Sequence, residues 1–236
     1  MQRKLALFAI AALVLAPFRV ACAVDTPAND LNNVLQKLDT AAKNFHTTAA
    51  NFEFDSIQTD PVPDTDVMTG TTYYERSGAH FQMAAHVRER TSGDTSKERE
   101  QNKHPARLTY IFSGGVLRQS DTGGAADART IERASKYESY LLLGFGASGK
   151  ELAEKWDIKY LGTEKIDGIA TDKLELVAKD PTVLKNIPKV TIWMDTARAV
   201  SLKQVFDEGQ GQSRVCHYTD ITVNQPLPKT AFSFDK

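Results

Sequence analysis

The sequence predicts a mainly β fold, antiparallel in its strand order and carrying a few helices. Period-two alternation of apolar and polar residues recurs in segment after segment, the pattern of a strand with one greasy face. The connectors Asp167-Gly168, 195–198 and 207–211 are short and polar. Short connections make neighbouring strands antiparallel, because a parallel crossover needs about a dozen residues. No Pro/Gly/Ser-rich linker interrupts the chain, which favours one domain over two.

The chain opens with basic Arg3 and Lys4, an apolar run from Leu5 to Ala16, and Ala21-Cys22-Ala23. This is the layout of a secretory signal peptide over residues 1–23, and its run is shorter than the roughly 20 residues that span a bilayer. Residues 24–236 then form the exported domain. The rival reading is a lipoprotein signal with Cys22 lipidated, which wants a branched apolar residue where this chain has Arg19. Cleavage after Ala23 leaves Cys216 without a disulfide partner and suited to a buried apolar site. It also removes Arg3, Lys4 and Arg19, taking the formal net charge from −1 to −4, and such a chain offers nothing to attract nucleic acid.

Asn29 and Asp30 are placed to cap a helix whose apolar residues Leu31, Val34, Leu35, Leu38, Ala42 and Phe45 recur at steps of three and four. Thr48, Ala50, Phe52 and Phe54 then share one strand face against Asn51, Glu53 and Asp55. Residues 60–64 break that strand, 69–76 begin a second, and Ser77-Gly78 turns it into His80–Val87, where Phe81, Met83, Ala85 and Val87 alternate with His80, Gln82, Ala84 and His86. The charged segment 88–103 reads as a solvated loop or the far ends of a hairpin. Leu108, Tyr110 and Phe112 form another strand, returned by Ser113-Gly114-Gly115 into 116–119. Helical signals cover about 129–143, and Ser148 with Glu151 makes a capping box for a short helix over 150–155. From Trp156 the chain is almost all strand: 156–160, 174–178, 190–194, 200–206 and 215–223.

Gly144-x-x-x-x-Gly149-Lys150 matches a phosphate-cradling loop except at its last position, where Glu151 replaces the hydroxyl that ligates magnesium. A meander of hairpins also lacks the parallel strand-loop-helix unit such a loop requires, so no nucleotide is expected. Metal and catalytic chemistry find little footing. His80 and His86 sit about 20 Å apart along one strand, no G-x-S-x-G elbow is present, and Asp207-Glu208 and Asp64-x-Asp66 lie in turns where polar residues are ordinary. An exported hydrolase would have to assemble scattered groups such as His80, His86, Asp195 and His217.

Apolar side chains are in surplus on the strand faces and in the run from Tyr140 to Phe145. They fill the core of a closed sandwich or line a concave pocket in an unclosed sheet, and patterning leaves both open. The last third is more specific. VTIWMD (190–195), AVSLKQVF (199–206), the hairpin 212–217, YTDITVN (218–224), Leu227-Pro228 and Phe232-Ser233-Phe234 resemble the LolA-like family of outer-membrane lipoprotein carrier and sorting proteins. The order of the N-terminal elements agrees: signal peptide, amphipathic helix, phenylalanine-bearing strand, Gly70 to Arg76, and the hairpin at Leu108 to Gly115.

The resemblance implies an incompletely closed antiparallel β-barrel, a curved sheet whose helices cover an apolar cavity. It implies a periplasmic carrier that binds acyl chains of lipoproteins, or lipids, for transfer to the outer membrane. An inner-membrane release complex and an outer-membrane acceptor are its partners, with no catalytic group and no cofactor. Alternation places Phe52, Phe54, Phe81, Met83, Ile192, Met194, Leu202 and Tyr218 in the cavity, and the matching position in Tyr-Glu-Arg assigns Arg76 to a contact between lid and sheet. The charged segment 88–103 departs from the family and leaves the cargo open between lipoprotein, free lipid and glycolipid. A noncatalytic lipid-binding sensor of the same fold, tethered through Cys22, is the alternative.

Overall fold

The computed structural model describes residues 27–78, 80–131 and 143–234, with side chains from residue 30 onward. The signal peptide and Cys22 lie outside the described residues, as do 132–142, most of the helix expected over 129–143.

The strands are β1 (Thr47–Gln58), β2 (Asp64–Ser77), β3 (His80–Ser92), β4 (His104–Pro105), β5 (Thr109–Ser113), β6 (Val116–Ser120), β7 (Arg129–Ile131), β8 (Trp156–Ile166), β9 (Ile169–Ala178), β10 (Lys189–Asp195), β11 (Val200–Gly209) and β12 (Gln212–Val223). They form one antiparallel sheet in the order β7-β6-β5-β3-β2-β1-β12-β11-β10-β9-β8, with β4 set against β3. The sheet is a curved barrel that does not close. The first and last strands of the chain meet in its middle, where Phe52 stands opposite Tyr218 and Phe54 opposite Cys216.

Helix α1 (Pro27–Ala42) begins before Asn29 and Asp30, which lie inside it and do not cap it; a proline is well suited to a first turn because its missing N–H has no helical partner there. It ends three residues short of Phe45, whose ring belongs to the sheet. The segment 88–103 combines both expectations and adds one. Strand β3 runs on to Ser92, and α2 (Ser96–Gln101) follows behind a Thr95–Glu98 capping box, a sequence signature that the charge of the segment obscured. Residues 129–131 are strand, not helix, because they pair with β6. Helix α3 (Gly149–Lys155) is capped by Ser148 as expected. Helix α4 (Pro181–Asn186) starts where the Asp180 carboxylate accepts from the Thr182 and Val183 amides.

The sheet's two faces differ as the alternation requires. Across one face, the register aligns Leu117, Phe112, Met83, Tyr74, Thr48 and Val223 in one row. A second row on that face aligns Met68, Phe54, Cys216, Gln204, Ile192, Leu174 and Tyr160. On the other face a corresponding row reads Thr69, Glu53, His217, Lys203, Trp193 and Lys173. The apolar face carries two clusters. Under α1 and α3, Val34, Leu38, Leu152 and Trp156 pack with Leu174, Val190, Ile192 and Met194. Toward β1–β5, Phe45, Phe52, Tyr74, Met83 and Phe112 pack with Phe145, Leu202 and Tyr218. Each fully buried aliphatic or aromatic side chain of this kind contributes about 1.5–3 kcal/mol.

Candidate functional site

All eight residues expected to face the cavity lie on the apolar face, and the structure divides them. Phe52, Met83, Leu202 and Tyr218 are buried in the second cluster, with Phe54 and Phe81 packed against it and partly exposed. Ile192 and Met194 lie in the first cluster, beneath α1. Six of the eight thus gather on β1, β3, β11 and β12.

Among the described residues, the segment 143–148 that leads into α3 packs on that face through Phe145. Phe145 is 2% exposed. Its ring stacks on Tyr74 with centroids 3.9 Å apart and meets Tyr218 edge-on at 4.9 Å. Gly144 and Gly146 flank it at φ +85° and +67°, values that side chains with a Cβ rarely adopt. The segment also borders β11, since the Ser201 amide donates to the Gly144 carbonyl at 2.7 Å and the Gly146 amide to Ala199 at 2.8 Å. Gln204 Nε2 donates to the Leu143 carbonyl at 2.7 Å, so this polar side chain in an apolar row is satisfied.

Arg76, near the end of β2, holds the same segment. Its Nη1 donates to the Gly146 carbonyl at 2.7 Å and to Glu151 Oε2 at 3.1 Å, and its Nη2 pairs with Glu151 Oε1. Glu151 is also the reciprocal partner of Ser148 in the α3 capping box. Burial by itself would raise the Glu151 carboxyl; the hydrogen bonds from Arg76 and Ser148 outweigh it and hold the group below its usual 4.5. The residue that spoils the phosphate-loop motif thus joins the sheet to the segment over it. Helix α3 is tied to α1 by the Lys150 amide, which donates to Asp39 Oδ1 at 3.0 Å.

The second cluster contains three ionisable groups. Burial pushes the Cys216 thiol up to about 12 and raises the Tyr74 and Tyr218 phenols. These groups stay neutral at ordinary pH, and Cys216 is a buried residue of the apolar face, as expected from the sequence.

The opposite face bears two open grooves of about 350 and 340 Å³, which share Glu53 and His217. The tip of the β8–β9 hairpin bends over this face: Asp167 meets His217 at 2.6 Å, and Glu164 accepts from Trp193 Nε1 at 2.9 Å. The histidines and Asp195 are not brought together. His86 Nε2 contacts the Ala231 carbonyl at 2.8 Å, His217 pairs with Asp167, and Asp195 caps its own turn and binds Arg198. Asp55 lines the larger groove. Burial, then the neighbouring Glu53, raises its carboxyl above 3.8, and its Oδ1 has no hydrogen-bond partner among the described residues. An acid whose folded value is raised opposes folding while ionised. Asp55→Asn is therefore expected to raise the thermal midpoint at pH 7, with the gain shrinking as pH falls through the raised Asp55 value. Circular dichroism melts across that range check this, and a lowered midpoint at pH 7 would contradict it.

No family model and no curated protein matches the chain. Solved structures do. MucB is similar over 86% of this chain and 62% of its own, at 14% identity and TM-score 0.49; the chain thus spans less than two thirds of MucB. An outer membrane lipoprotein-sorting protein domain from Vibrio parahaemolyticus is similar over 85% of this chain and 94% of its own, at 13% identity and TM-score 0.43. A LolA superfamily protein from Nitrosomonas europaea is similar over 86% and 97%, at 15% identity and TM-score 0.39. The chain resembles the LolA-like fold family. Likenesses at these identities and TM-scores carry no activity across, so function rests on the residues above. Sequence reasoning placed Phe145 in an apolar run and Glu151 in the capping box of a short helix, and missed the partners they take, Tyr74 and Arg76. The signal for both residues was present: an aromatic between two glycines, and an acid at the third position of a capped helix.

Proposed function

We propose that the protein is a noncatalytic periplasmic carrier that takes acyl chains of lipoproteins, or lipids, against the apolar face of its unclosed sheet and delivers them to the outer membrane. One observation carries this reading. The apolar face is covered by a short segment that inserts a single aromatic ring, Phe145, between Tyr74 and Tyr218, hinged on two glycines and held by Arg76. A face covered this way opens without dismantling the sheet. In the closed form Phe145 occupies the place that an acyl chain takes in the open form. Each methylene moved there from water is worth about 0.8 kcal/mol, so a long chain outweighs the loss of one ring's contacts. Phe52, Phe54, Phe81, Met83, Leu202 and Tyr218 line the site, and Ile192 and Met194 support it from the neighbouring cluster. Arg76 is the contact between lid and sheet.

The test is to extract protein purified from the exported fraction, identify bound lipid by mass spectrometry, and assay transfer of an acylated lipoprotein between membranes. Absence of an acyl ligand together with absence of transfer would overturn the reading. The latch adds a graded test. Glu151→Gln removes the charge that pairs with Arg76, and binding of an apolar dye at neutral pH is expected to increase. Because the folded Glu151 value is depressed, the wild-type latch is fully present above 4.5 and is lost as pH falls through that lower value. Dye binding by the wild type should therefore rise toward the variant's level only on strong acidification. Equal dye binding by the two proteins at neutral pH would show that Arg76 and Glu151 do not restrain the cover.

A further inference from the structure

We propose that Thr48 and Arg76 form a head-group subsite at one end of the apolar face that the 143–148 segment covers, selecting chains that are joined through an ester. The inference rests on the carrier reading and adds the chemistry of the ligand's polar end.

Thr48 is 1% exposed and stands in the apolar row between Tyr74 and Val223. Its hydroxyl has no hydrogen-bond partner among the described residues. A buried unpaired hydroxyl destabilises a fold, and the neighbouring solution to the same problem is visible in Gln204, which donates to Leu143. Valine would fill the same space in a strand at no such penalty. A hydroxyl kept in this row is explained by a partner that arrives with the ligand.

Its position says which part of a ligand it meets. Thr48 faces Tyr74 across β1 and β2, and Tyr74 carries the stacked Phe145 ring. Arg76 is the next residue of β2 on the same face, with its amide donating to the His46 carbonyl at 2.7 Å. It is therefore a diagonal neighbour of Thr48, within reach of a long side chain. Withdrawal of the 143–148 segment bares the Tyr74 ring and releases the guanidinium from Gly146 and Glu151 together. A chain lying along Phe52 and Phe54 then has its polar end at Thr48. The threonine O–H donates to the ester carbonyl, and Arg76 donates to the next oxygen outward, of a phosphate or a second ester.

The test compares a diacyl phosphatidylglycerol with its dialkyl ether analogue of equal chain length, each displacing a fluorescent fatty-acyl probe from the full exported chain. The ether lacks only the carbonyls. Wild type should favour the ester by about fivefold, the scale of one net hydrogen bond. Thr48→Val should abolish the preference while melting at or above the wild-type temperature. Thr48→Ala is a second hydroxyl-free variant, and Thr48→Ser should retain the preference. Equal or reversed affinities in the wild type, or a preference that survives in both hydroxyl-free variants, would overturn the subsite and leave the carrier standing. Failure of the wild type to bind either lipid would overturn the subsite, and failure to bind the fatty-acyl probe as well would count against the carrier reading too.

Discussion

Phe145→Ala is expected to lose about 3 kcal/mol of stability, the lower end of the range for deleting a buried phenyl ring. The ring is 2% exposed and touches aromatic partners on two sides, so nothing nearby can collapse into the space without breaking the Tyr74–Tyr218 arrangement. For a chain of this length, that loss lowers the melting temperature by roughly 6–12 °C. A second outcome separates a carrier from a filled sandwich. A medium-chain fatty acid should raise the melting temperature of the variant more than that of the wild type, because in the wild type the ligand must first displace the ring. A variant that melts like the wild type would show that the segment is not packed on the sheet. A variant that is destabilised but indifferent to the fatty acid would mark the face as a core and nothing more.

Gly149→Val should be nearly as damaging, for a steric reason. A Cβ at position 149 would stand 2.2 Å from the Leu35 carbonyl oxygen and 2.7 Å from the Leu35 Cα, both backbone atoms of α1. The helices must separate, and the Lys150 amide then loses Asp39. Overpacking of this kind costs about 1–3 kcal/mol, here with a broken hydrogen bond added. Hydrogen exchange should report it as lost protection through α1 while β1 and β12 keep theirs. Gly149→Ala should reproduce most of the effect, since the first carbon already collides. Unchanged protection in α1 would mean that the helix does not rest on α3.

These two residues show why the stretch from Leu143 to Glu151 was hard to read from sequence. Its glycines match the spacing of a phosphate loop, yet each answers to a local need: left-handed backbone at Gly144 and Gly146, and close approach to a helix at Gly149. Spacing records that glycines are required and is silent about what stands opposite. Strand faces were legible because alternation is a property of the strand alone, and all eight expected cavity residues fall on the apolar face. Their division into two clusters was not legible, since it depends on which strands α1 covers, a matter of tertiary placement. Arg76 could be assigned from the resemblance, but its partner Glu151 lies 75 residues away and nothing local connects them. Asn224, just past the end of β12, behaves similarly. Its side chain accepts from the His46 amide at 2.8 Å and donates to the Asn44 carbonyl at 2.6 Å, fastening the end of β12 to the turn between α1 and β1.

The meeting of β1 and β12 at the middle of the sheet also bears on how the molecule forms. On either side of that seam the strands follow one another as local hairpins, β1 to β7 on one wing and β8 to β12 on the other. The seam joins Thr48 to Val223 and Ser56 to Arg214, nearly the whole described chain apart. Closing so long a loop adds little to the equilibrium cost, because that cost grows only with the logarithm of length, but non-local pairing slows the search. Phe52 and Tyr218 face each other across this seam, so the floor of the proposed cavity exists only after both wings have docked. On the proposed carrier reading, a nascent chain would offer a lipid no complete binding surface until β12 had been added.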